Sequence, residues 1–155
     1  KAACHNFIEK TDFDHVQMAI VQFGIDSEAS IWEELTQDAG KLMAATDRLH
    51  ASGGTPMGQA IQCGHEVLSQ FLQEMECFIV LFTDGNPNNR SLAESAAANA
   101  KEAGIQIICV GVHGANRGLL DQLASSSEDS LFAQSGSELT KTFGNIAQVI
   151  SGKRV

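Results

Sequence analysis

Basic residues are scarce: ten Lys and Arg stand against nineteen Asp and Glu in 155 residues, a formal net charge of -9. Those ten are scattered except for Lys153 and Arg154 at the tail. A nucleic-acid footprint needs a basic face, so that class of partner is excluded. Long hydrophobic runs are missing too. The longest, 78–82 and 107–110, are strand-sized, against the roughly 20 apolar residues that cross a bilayer, and no membrane partner is expected. Only two prolines occur, and no Pro/Ser-rich or low-complexity stretch marks a linker. No internal repeat is evident. Close cysteine pairs are absent as well. Cys4, Cys63, Cys77 and Cys109 sit far apart within apolar segments, without the short spacing of zinc or redox motifs. They read as reduced, buried thiols, which together with the lack of a signal-peptide pattern in "KAACHNFIEK" points to a cytoplasmic protein. The chain does not begin with Met, so polypeptide upstream of Lys1 is expected.

What is there is enough for one domain, residues 1–155: 43% hydrophobic and 19% charged residues, the balance of a globular protein with a real core. Ala3, Cys4, Phe7 and Ile8 share a helical face. "VQMAIVQF" (16–23) and "ASIWEEL" (29–35) read as a strand and its antiparallel neighbour, with Trp32 as a half-buried packing residue. A helix is predicted over 38–49. Next, "HASGGTPMGQAI" (50–61) leads from a glycine loop into a helix, with Thr55 as N-cap, Pro56 in the first helical position, and Met57, Ala60, Ile61, Leu68, Phe71 and Leu72 on one face. "CFIVLF" opens a buried parallel strand over 77–83. An alanine-rich helix over 91–103 ends at Gly104, and strands follow at 105–112 and 130–133 with helices around 119–124 and 139–150. Strand and helix alternate, the pattern of an open, mostly parallel α/β sheet covered on both faces.

Ligands of such sheets bind beyond the carboxyl ends of the strands. Asp84 stands at one of those ends, and the 53–55 loop runs toward the same edge. Two oxygen-bearing groups there suggest a hard cation such as magnesium. Each residue also has a plainer role: Thr55 caps its helix, and Asp84 shapes the turn it begins. For Thr55 the cap is the preferred reading on these residues alone, and the two roles are compatible; for Asp84 the end of a buried strand favours the ligand. Asn86, Asn88 and Asn89 read as loop formers, Asp12, Asp14, Asp26, Glu28, Glu33 and Glu34 as solvated surface, and the dispersed histidines carry no role.

The segments "VQMAIVQFG", "LTQDAGKLMAATDRLHASGGTPMGQAI", "FIVLFTDGNPNN" and "GIQIICVGV", in this order and spacing, resemble the von Willebrand factor A (vWA) domain over nearly the whole chain. The resemblance implies a doubly wound, Rossmann-like sheet with an antiparallel edge strand. It also implies a metal-ion-dependent adhesion site and partner binding instead of catalysis. Thr55 and Asp84 match two of that site's three elements, and Gly53, Gly54 and Asn86 fall on the loops that would face the partner. The third element, Asp-x-Ser-x-Ser after the first strand, is absent together with that strand, which by resemblance lies centrally between 16–23 and 77–82. Magnesium, with manganese or calcium as substitutes, is therefore expected to bind weakly, and the partner to be a protein offering an acidic residue.

Two rival functions fit the same residues. One is a scaffold domain with a degenerate metal site. The other is a magnesium-dependent enzyme that handles a phosphate or nucleotide, with "GGTPMG" as its phosphate loop beside Asp84. The loop lacks the Gly-Lys-Ser/Thr of a P-loop, and its glycines do not stand as Gly-x-Gly-x-x-Gly. No Ser-His or Cys-His pairing stands at recognisable spacing either, so the chain is expected not to be an enzyme.

Overall fold

The computed structural model describes residues 2–23, 29–48, 56–83, 89–112 and 115–151. Six α-helices and five strands lie along them, alternating from α3 onward: α1 (Ala2–Lys10), β1 (Met18–Phe23), β2 (Ala29–Thr36), α2 (Ala39–Asp47), α3 (Met57–Leu68), β3 (Phe78–Thr83), α4 (Arg90–Glu102), β4 (Gln106–Gly111), α5 (Arg117–Leu123), β5 (Ser130–Phe132) and α6 (Gly136–Ile150). Each strand predicted from the sequence is present, its ends within two residues of the expectation.

The contacts divide the chain into two compact units. The first holds residues 1–20, 31–50 and 133–155. Here α1 packs on α6, where Phe7 meets the Phe143 ring edge-on with centroids 5.8 Å apart. Asn6 donates its side-chain amide to the Thr140 carbonyl at 2.8 Å, and a Cβ on Gly144 would lie 2.6 Å from that same amide nitrogen. Ala3, Ile8, Leu42, Ala45, Phe143, Ile146 and Ala147 are buried. Trp32 is half-buried, as expected, and donates its indole N–H to the Ala45 carbonyl at 2.9 Å.

The second unit, residues 21–30 and 51–132, contains the parallel sheet β3-β4-β5. Its core gathers Met57 and Ile61 of α3, Leu81 of β3, Ile107 and Cys109 of β4, and Leu119, Leu120 and Leu123 of α5. Leu68 at the end of α3, Phe71 in the 3-10 turn that follows and Leu72 after it also pack against it, so the predicted apolar positions are the ones used, although α3 itself stops at Leu68. Helix α4 contributes Ala93, Ala96, Ala97 and Ala100, all buried. Alanine is the best helix former and the smallest apolar side chain, so this face propagates the helix and permits close approach at once. Gly104, at φ 101°, ends α4 in a left-handed cap. Its N–H bonds the Lys101 carbonyl while Ile105 N–H reaches back to Ala100, the paired bonds of a Schellman motif.

β1 and β2 pair in a separate two-stranded sheet, and β3 has β4 as its only strand neighbour among the described residues. β4 is buried from Ile107 to Gly111, whereas Phe78, Ile79 and Val80 of β3 remain half-exposed. Gln22 of β1 is buried, and neither side-chain amide atom has a partner among the described residues.

Candidate functional site

The carboxyl ends of the three parallel strands form one row: Thr83 is in register with Gly111, and Gly111 with Phe132. Gly111 is where the row is tightest, since a Cβ there would lie 2.7 Å from both Leu120 Cδ1 and Phe132 Cε1 and 3.0 Å from Ala115 Cβ. Any side chain at 111 would push α5 and Phe132 away from the end of β4.

Two helices, α3 and α4, follow stretches that the sequence marks as functional, and α5 follows the end of β4. Asn89 caps α4 by accepting the Leu92 N–H at 3.0 Å, and Asn116 caps α5 by accepting that of Leu119 at 3.0 Å. Asn is among the best residues for this task, because its short amide oxygen reaches an N–H three residues on. Helix α3 departs from the expectation. Its N-cap is Pro56, with φ -78°, ψ 63° and no side-chain cap bond, so the first helical residue is Met57. The ψ of Pro56 lies outside the helical range, while its carbonyl already accepts the first helical bond from Ala60 N–H. That pairing of non-helical dihedrals with a helical carbonyl defines a cap, so Thr55 stands one position before it.

Helices α3 and α4 meet at their beginnings. A Cβ on Gly58 would lie 2.6 Å from Leu92 Cγ, 2.9 Å from the Leu92 carbonyl carbon and 3.0 Å from Ala93 N, so nothing larger than glycine fits. Gly58 follows the 53–55 loop by three residues, and Leu92 follows 84–88 by four. The first turns of α3 and α4, which follow 53–55 and 84–88 in the sequence, are therefore held side by side.

Gly53, Gly54, Thr55, Asp84 and Asn86, the residues predicted to hold a metal or face a partner, lie outside the described residues. Among the described residues no group of three or more His, Cys, Asp or Glu is placed to hold a metal ion. Nor is any described helix long and apolar enough to cross a membrane. Sequence reasoning missed Gly58 and Gly111. Both had a signal, a glycine within an otherwise regular helix or strand, which marks close approach of a neighbour.

A parallel sheet whose successive strands are joined by helices is that of an α/β, Rossmann-like domain. The chain belongs to the von Willebrand factor type A domain family, whose model matches residues 1–145. Among its relatives, the uncharacterized protein sll0103 of Synechocystis is 24% identical over 97% of this chain and 37% of its own length. The chain thus spans a little over a third of that curated relative. Among solved structures, the vWF domain of the type V pilus tip protein Mfa5 from Porphyromonas gingivalis matches with a TM-score of 0.85 at 14% identity, over 99% of this chain and 88% of that one. Proximal thread matrix protein 1 from the mussel byssus, solved with a zinc-occupied MIDAS motif, matches with a TM-score of 0.79 at 23% identity, over 95% and 38%. At these identities the structures establish the fold.

Proposed function

We propose that the chain, acting as one domain, is a protein-interaction module that engages an acidic residue of a partner protein at the carboxyl edge of its sheet. Thr55 and Asp84 are its own ligands for a divalent cation, magnesium foremost, and Gly53, Gly54 and Asn86 face the partner. The observation that carries this reading is the seat of Gly58 on Leu92 and Ala93, which holds the starts of α3 and α4 together. In the sequence Thr55 stands two residues before the start of α3 at Met57, and Asp84 six before the start of α4 at Arg90. The mussel protein with zinc at its MIDAS motif supports a cation in this fold. When bound, the cation supplies a Lewis-acidic position for a carboxylate; the chain's part is to offer a hydroxyl and a carboxylate and to keep the two loops in register.

Two protein ligands hold magnesium weakly, because the ion demands octahedral oxygen coordination and releases water reluctantly. The four unbridged cysteines support a reducing, cytoplasmic compartment. Calorimetric titration with magnesium tests the site, on this chain and on a version extended upstream to carry an Asp-x-Ser-x-Ser segment. We expect weak binding by the first, tighter binding by the second, and loss of both in Asp84→Ala. Binding unchanged in Asp84→Ala would leave the scaffold reading in place.

A further inference from the structure

We draw no further inference here: the strongest candidate, the edge of β3 turned away from β4, where Phe78, Ile79 and Val80 are half-exposed, carries nothing, because nothing among the described residues shows what covers it.

Discussion

Gly58 of α3 sits against the backbone of Leu92 in α4, so closely that a methyl group at 58 would fall 2.9 Å from the Leu92 carbonyl carbon. Two of its three nearest atoms are backbone and cannot rotate away. The gain in helix propensity from Gly to Ala, about 1 kcal/mol, is outweighed by separating two packed helices. Gly58→Ala should therefore lower stability by about 1–3 kcal/mol in urea unfolding, with the slope unchanged. A stabilised Gly58→Ala would mean that α3 and α4 do not approach this closely.

The unequal burial of β3 and β4 makes a second prediction. Gln106 N–H bonds the Cys77 carbonyl and Val112 N–H the Thr83 carbonyl, which sets the phase of the ladder. In an evenly spaced parallel ladder the N–H groups of Ile79 and Leu81 then point to β4, and those of Phe78 and Val80 to the opposite side. Hydrogen exchange should be slow at Ile79 and Leu81 and fast at Phe78 and Val80. In a version extended upstream by the missing strand, all four should be slow. Equal protection of the four in this chain would show that another segment already fills the place.

The five strands and the apolar face of α3 were legible because burial repeats along a strand or helix. Gly104 was legible because a C-cap has a residue signature of its own. The start of α3 was misplaced by one residue: Thr-Pro is a good sequence for an N-cap followed by the first helical position, yet Pro56 adopts ψ 63° and takes the cap itself. That β3 has a strand neighbour on one side only among the described residues was foreshadowed only by the family resemblance, since one strand cannot report how many neighbours it has. The stacking of Arg117 on Phe132, with the guanidinium carbon 4.1 Å from the ring centroid, is created by the parallel crossover between β4 and β5, and its partners share no sequence neighbourhood.

Cys109 is fully buried, and its thiol is pushed up from 9.0 to about 12, by burial first, with Lys101 opposing and Asp129 and Asp121 adding to the rise. The folded state thus keeps a proton that the unfolded chain gives up. The stability linked to it is complete below pH 9.0 and disappears as pH rises toward about 12. Cys109→Ala should flatten the alkaline fall in stability between those values while costing some stability at neutral pH through the cavity it leaves. An alkaline limb of the same slope in both proteins would assign the fall to other groups.

Thr55 was given two compatible roles, capping and metal binding, and the position of Pro56 lets one experiment separate them. With Pro56 at the N-cap, Thr55 lies one residue earlier, where a hydroxyl is not the usual partner of the first free N–H groups. Asn89 is the internal standard, because its side chain does cap a helix, at 3.0 Å from Leu92 N. Replacing it with Ala should cost about 1 kcal/mol. Thr55→Ala should then shift the urea midpoint by much less than Asn89→Ala, while weakening magnesium in the upstream-extended chain. Thr55→Ser, which keeps the hydroxyl, should restore the magnesium affinity. If Thr55→Ala instead costs as much stability as Asn89→Ala and leaves magnesium binding untouched, the residue is a cap after all, and Asp84 stands alone as the cation's ligand in this chain.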